Sequence, residues 1–298
     1  MARIALKVDI DTFRGTREGA LRLADLLERL DLKATFLCSL GPDHTGRAIK
    51  RVFRRGFLGK VQRTSVVEHY GMRTLLYGVL LPGPHIGRRA RAALQDIARR
   101  GFEVGVHTWD HIRWQDGVAR ANQAWTRKQL QLARDQFTEV FGREPLVHGA
   151  AGWQMNRYVP ALQRELGFRY ASDTRGQAPF LPLVEWGDAG IPQLPTTLPT
   201  FDELIGRADL AAGPVEHLLE LTARSGERDQ VFTLHAELEG GKYLQDFARL
   251  LREWRARGAQ LTDLASYAAT LDERVLPRCR IVAGSVPGRS GTLALQGA

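Results

Sequence analysis

Three short stretches carry side chains whose types and spacing could do chemistry together: Asp9-Ile10-Asp11, His107-Thr108-Trp109-Asp110-His111 and Leu234-His235-Ala236-Glu237. In the first, carboxylates two residues apart on a strand face the same side. Like charges that close repel unless a cation or hydrogen-bond donors lie between them. The plainer reading is that one Asp caps the helix that follows. In the second, imidazoles four residues apart stack along one helical turn, so both can reach a single ion. Two imidazoles and one carboxylate leave positions open for water and substrate, as hydrolytic metal sites require; the set suits Zn, Co, Mn or Fe. In the third, His235 could hand a proton to a leaving amine. Each motif alone also has an incidental reading. Meeting at one sheet edge, they suit metal-dependent hydrolysis.

The elements that must bring them together follow from periodicity. Ile4–Ile10 is β-branched and apolar, a buried strand, and Gly15–Leu30 carries Leu23, Leu26, Leu27 and Leu30 at helical spacing. Further strands are expected at Lys33–Cys38, Phe102–His107, Pro145–Val147, Phe168–Ala171 and Gln230–His235. Helices are expected at Arg88–Arg100, Trp125–Phe141, Val159–Leu166 and Asp246–Arg257, two of them stopped by Gly101 and Gly142. Strand–helix alternation means an α/β fold with a parallel sheet, and so many units favour a barrel over an open sheet. All three motifs fall at strand carboxyl ends, where such folds place their sites. The stretch from about Gly41 to Gly87 breaks the alternation and is too long for a plain connection; it reads as an insertion with its own helices and an apolar run, Leu75–Leu81. After Pro277 the chain is rich in Gly, Arg and Ser and is expected to form a loose tail over 276–298.

Composition is that of a globular protein with a real core, 44% hydrophobic and 25% charged, and its length suits one large barrel. The net charge of +9 is unevenly placed. Residues 44–67 hold no acid, while Arg47, Lys50, Arg51, Arg54, Arg55, Lys60 and Arg63 are interleaved there with Val52, Phe53, Phe57, Leu58 and Val61. A basic and apolar mixture suits an anionic phospholipid surface; nucleic acid is the competing partner, and a solvated helix face is the bland reading. Two distant cysteines, Cys38 and Cys279, form no disulfide framework. Neither an apolar leader nor a spanning run is evident, so the cytoplasm is the expected location.

Together the Asp-x-Asp, His-x-x-x-His and late Leu-His motifs resemble the polysaccharide deacetylase (NodB homology) family in type, order and strand-end placement. The resemblance implies a distorted (β/α)7 barrel of the NodB type over 1–275, carrying the basic, apolar helical insertion, and one divalent metal ion. It also implies that Asp9 is the catalytic base, Asp11, His107 and His111 the metal ligands, and His235 the general acid. Two departures stand out. The family's third motif supplies an Arg to the base, but Ala150-Ala151-Gly152-Trp153 has none, so Arg14 or Arg175 is the expected substitute. For the acid that tunes the catalytic His, Asp173 in Ser172-Asp173-Thr174-Arg175-Gly176 is the nearest match. Those segments, with Asp9–Gly19, Leu194–Thr200, Ile205–Arg207 and Leu234–Gly240, are similar to a deformylase branch of the family, over about residues 3 to 275. That branch acts on undecaprenyl-phosphate-linked 4-deoxy-4-formamido-L-arabinose, in the aminoarabinose modification of lipid A that confers polymyxin resistance. The resemblance thereby favours an anionic membrane surface over nucleic acid as partner, with the protein attached peripherally to the inner face of the bacterial inner membrane. The rivals are an N-deacetylase for chitooligosaccharide or peptidoglycan, and a metal-free basic protein binding nucleic acid or lipid.

Overall fold

In β1 (Arg3–Ile10), alternate residues serve two different cores. Ile4, Leu6, Val8 and Ile10 pack outward with Leu23, Leu27, Phe36, Phe137, Phe232 and Trp254, the layer between sheet and helices. Ala5 points the other way and joins Leu37, Val147, Leu194, Val231 and Leu264 in a second, inner cluster. Apolar burial on both faces is what parallel strands require. On the inner face Ala5 is followed by Lys7 and Asp9, both buried. The apolar inner cluster thus floors a polar chamber.

The computed structural model describes residues 2–48, 71–184, 190–207, 209–210, 212–289 and 291–298. After β1 come β2 (Thr35–Ser39), β3 (Glu103–Thr108), β4 (Val147–His148), β5 (Tyr170–Ala171), β6 (Leu181–Pro182), β7 (Gln230–His235) and β8 (Gln260–Thr262). The principal sheet has seven strands in the order β5-β4-β3-β2-β1-β7, with β8 also on β1, and every pairing in it is parallel. β1 pairs with β2 along Lys7–Ile10 and with β8 along Arg3–Ala5. This is the curled parallel sheet of a distorted barrel, as the sequence led us to expect. Between β5 and β7 the wall is irregular. There Leu194 N–H donates to Ala171 O at 2.7 Å and Thr196 N–H to Thr174 O at 2.9 Å, while Thr197 N–H reaches Val231 O at 3.1 Å. Pro192, Pro195 and Pro199 have no N–H to give, so this stretch bridges the gap without forming a ladder.

Two expectations are corrected. The helix expected over Arg88–Arg100 is broken at Ala90 into Ile86–Arg89 and Arg91–Arg99. The tail is not loose: β9 (Arg278–Cys279) pairs with β6, and β10 (Ile281–Gly284) forms a hairpin with β11 (Leu293–Gln296). That hairpin is fastened to the barrel, because Arg175 N–H donates to Ala294 O at 2.9 Å and Gln296 N–H to Arg175 O at 2.8 Å. Of the insertion, residues 71–87 include one short helix, Met72–Leu76, with Leu75 buried and Val79, Leu80 and Leu81 exposed. Lys50, Arg51, Arg54, Arg55, Lys60 and Arg63 lie outside the described residues. Arg47 is described and exposed, its guanidinium donating to Gly78 O at 3.1 Å.

Candidate metal centre

Asp11 stands just past the end of β1, and its backbone is held by the chain that leaves the neighbouring strand β7. The N–H groups of Asp11 and Thr12 donate to Glu237 Oε1 at 3.1 and 2.9 Å, and the Thr12 hydroxyl donates to the same oxygen at 2.8 Å. The chain then enters a π-helical turn, Gly15–Gly19, before the α-helix Ala20–Arg29. Such turns collect at functional sites because they re-aim the backbone. Gly15 has no alternative: a Cβ there would fall 1.8 Å from Glu237 Oε1.

His107 lies near the end of β3. Its Nδ1–H donates to Gly149 O at 2.7 Å, which fixes the tautomer and leaves Nε2 as a lone-pair donor, 3.2 Å from Asp11 Oδ1. His111 opens the helix His111–Gly117, which Asp110 caps by accepting from Arg113 N–H at 3.1 Å. His44, at the root of the insertion, approaches the other oxygen of Asp110 at 2.6 Å. His111 Nε2 then reaches 3.3 Å from Asp11 Oδ1. Ligand atoms of Asp11, His107 and His111 lie within 4.8 Å of one another, so the structure brings together the three residues expected to hold the metal. Asp11 Oδ1 is buried yet accepts no hydrogen bond. Leaving a carboxylate oxygen so is costly, and a divalent cation would satisfy it. Burial also pushes the His111 imidazole down to about 4 against the pull of Asp11, so at neutral pH its nitrogen is free to ligate.

Asp9 sits beneath this cluster, Oδ1 being 3.8 Å from His107 Nδ1 and without a hydrogen-bond partner. Its counter-charge is Lys7, two residues back on the same face of β1, with Nζ 3.4 Å from Asp9 Oδ2. Lys7 is fully buried, donates to Ser172 O at 2.9 Å and lies 5.2 Å from the centre of the Trp153 ring. Neither expected arginine takes this place. Arg14 is half-exposed and pairs with Glu18 at 3.1 Å. Arg175 is buried but turned to Glu203 at 2.5 Å, with its guanidinium 5.1 Å from the Trp153 ring centre.

His235 ends β7. Its backbone N–H donates to Glu239 Oε2 at 2.8 Å, and its Nδ1, without a hydrogen-bond partner, lies 3.7 Å from Asp202 Oδ1. Burial opposes a charge on this ring, but Asp202, Asp11, Glu239 and Asp9 outweigh it and raise its pKa to about 9. In the metal-free protein at neutral pH the ring is therefore protonated. The partner expected for it, Asp173, is elsewhere. Asp173 Oδ1 contacts His148 Nδ1 at 2.7 Å and accepts from Ala150 N–H at 2.7 Å, so it shapes the loop carrying Trp153 instead of facing His235. Trp153 is itself unusual, since φ is +52° for a bulky residue, directly after Gly152 at +61°. A backbone so strained costs about 1–3 kcal/mol and tends to persist at functional sites.

Sequence reasoning thus missed Lys7 and Asp202. Lys7 had a readable signal, a lone cation in an apolar strand, in phase with Asp9 and Asp11. Asp202 had none, because a capping residue at Thr200 explains an Asp in the first turn just as well.

A curled parallel sheet with an Asp-His-His cluster at its carboxyl edge defines a class of hydrolase, and the chain belongs to the polysaccharide deacetylase family, whose profile matches residues 3–171. It is 31% identical over 299 residues to a Shewanella sediminis protein named probable 4-deoxy-4-formamido-L-arabinose-phosphoundecaprenol deformylase ArnD, covering 99% of this chain and 95% of that one. A protein of the same name from Wigglesworthia glossinidia brevipalpis is 30% identical over 283 residues, covering 95% and 98%. Among solved structures, a Mycobacterium smegmatis protein described as a polysaccharide deacetylase superposes with a TM-score of 0.67 at 18% identity, over 96% of this chain and 95% of that one. The last likeness speaks to fold alone.

Proposed function

We propose that this chain removes the N-formyl group from undecaprenyl-phosphate-linked 4-deoxy-4-formamido-L-arabinose, giving formate and the free 4-amino sugar. Two observations support the reading: similarity to the two deformylases over nearly the whole chain, and the meeting of Asp9, Asp11, His107, His111 and His235 at one end of the barrel. Asp11, His107 and His111 would hold a divalent ion, whose chemistry is to polarise the formyl oxygen and make water a better nucleophile near neutral pH. Asp9 takes the proton of the attacking water. As the tetrahedral carbon collapses, His235 protonates the sugar nitrogen and the C–N bond breaks. Asp202 keeps that imidazolium oriented, and Lys7 supplies the counter-charge to Asp9.

A substrate with a polyprenyl tail stays in a bilayer. Arg47, the exposed Met72, Val79 and Leu80, and the basic run through Arg63 are the docking surface in this reading, on the cytoplasmic face of the inner membrane. No described helix is long and apolar enough to cross a membrane.

The direct test is formate release from the formylated lipid-linked sugar by metal-loaded protein. Asp9→Asn and His235→Ala should keep the metal and lose at least about a hundredfold in kcat. Release of acetate from N-acetylated chitooligosaccharides, with no formate from the lipid-linked sugar, would replace this reading by that of a polysaccharide deacetylase.

A further inference from the structure

Asp202 and Glu203 are adjacent carboxylates beside His235, and two arginines neutralise them from different parts of the chain. Arg175, within the barrel, holds Glu203 at 2.5 Å. Arg289 comes from the turn of the C-terminal hairpin, its Nη1 lying 3.2 Å from Asp202 Oδ2 and 3.4 Å from Glu203 Oε1. Its guanidinium also stacks on Trp153, 4.5 Å from the ring centre, while the same indole stands edge-on to the His235 ring. Gly288 makes the approach feasible: it has φ +82°, and a Cβ there would lie 2.1 Å from Glu203 O. Arg289 and Leu293 of the hairpin, with Gln115, Gln154 and Asp202, line an open polar cleft of roughly 350 Å³.

We infer that Arg289 is a positioning residue of the hydrolytic site: from the C-terminal hairpin it clamps Asp202 and the Trp153 indole, and so sets the orientation of His235. This rests on the reading of His235 as proton donor. With Oδ2 of Asp202 held by Arg289, Oδ1 is the oxygen left to face the imidazole. Without the guanidinium, Asp202 Oδ2 loses its cation and faces the carboxylate of Glu203, only the Thr200 hydroxyl still donates to Oδ1, and the angle the carboxylate presents to His235 shifts. The side-chain amide of Gln154 donates to Thr292 O at 2.6 Å, tying the hairpin to the loop that carries Trp153. The hairpin therefore meets the site at three points: Asp202, Trp153 and the cleft wall.

Arg289→Gln and Arg289→Lys, each alone and combined with Asp202→Asn, test this in the metal-loaded full chain. R289Q should lower kcat about tenfold or more, with KM and metal content little changed, and R289K should recover most of the loss. In the D202N background, R289Q should cost much less than in the parent, because only the contact through Trp153 remains. A loss of the same size in both backgrounds overturns the proposal, as does an unchanged kcat in R289Q. If R289Q does not fold, the cycle is run with Arg289→Met against D202N under the same criterion. A second readout needs no turnover: the imidazole NMR signal of His235 should move in R289Q and much less in R289Q/D202N relative to D202N. If the parent protein releases no formate while that signal moves as stated, the substrate assignment falls and the clamp stands. If formate is released and the signal is unmoved, the clamp falls alone.

Discussion

Lys7 is the least expected residue of the site. A fully buried ammonium is costly unless paired, and here burial pulls its pKa down while Asp9 works against that pull. Replacing Lys7 with Met keeps the volume but leaves Asp9 without its cation. We expect K7M to retain the metal and to lose about tenfold to a thousandfold in kcat; parental kcat in a folded, metal-loaded K7M would reduce Lys7 to packing. The titrating groups make a second prediction, for metal-free protein. The pKa of His235 is raised to about 9 from 6.5, and burial raises Glu239 to about 8 from 4.5. A raised pKa contributes stability that is complete below the unfolded value and is lost as pH rises through the folded value. Both shifts therefore act in one direction; His111, depressed to about 4, acts the other way only below about pH 6.5, so the chelated protein should lose stability between about pH 7 and pH 9. The share of His235 is at most about 3 kcal/mol. Urea denaturation in the presence of a chelator at several pH values measures it, and H235Q should flatten the upper part of the curve. Stability that rises over that interval would contradict the assignment.

At the scale of elements, glycines allow the turn before the first helix to lie directly against the chain leaving β7. Gly15 abuts Glu237, and a Cβ on Gly19 would lie 1.9 Å from Ala236 O. Gly15→Ala must displace the carboxylate that holds the backbone of Asp11, so it should weaken metal affinity as well as cost roughly 1–3 kcal/mol of stability. Isothermal titration with a divalent metal separates the two effects; unchanged affinity would show that Glu237 does not govern Asp11. Such elements were legible in the sequence to different degrees. β1, β2, β3 and β7 announce themselves through apolar, β-branched runs, and the metal ligands follow because each lies at or just beyond the end of such a run. The barrel's closure was not legible. Residues 191–199 carry three prolines and have no period, so nothing in their pattern says that they bridge β5 and β7. Asp202 rides on the short helix that follows this bridge, which is why Asp173, a more familiar-looking candidate, stood in for it.

At the scale of the molecule, strand–helix alternation was enough to give the barrel, whereas composition misled about its end. Gly, Arg and Ser suggested a loose tail after Pro277, but backbone pairing with Arg175, not local propensity, orders that hairpin. The proposed docking surface belongs to this scale too. Leu80 is 76% exposed and Met72 65%. Leu80→Asp together with Met72→Asp should lower co-sedimentation with vesicles containing anionic lipid by about tenfold, leaving metal content unchanged. Equal sedimentation of the variant would place the membrane contact elsewhere.

The position of β1 has a consequence for how the protein is made. It is made before the other described strands, yet Asp9 pairs in register with His235, more than two hundred residues later. At ordinary elongation rates of about 5–20 residues per second, that partner arrives on the order of ten to forty-five seconds afterwards. During the wait a nascent segment bearing Ile4, Leu6, Val8 and Ile10 has one flank unpaired and two buried charges still hydrated. High contact order of this kind slows folding and favours chaperone capture, so stalled chains shorter than about 235 residues should remain protease-sensitive through their amino-terminal third.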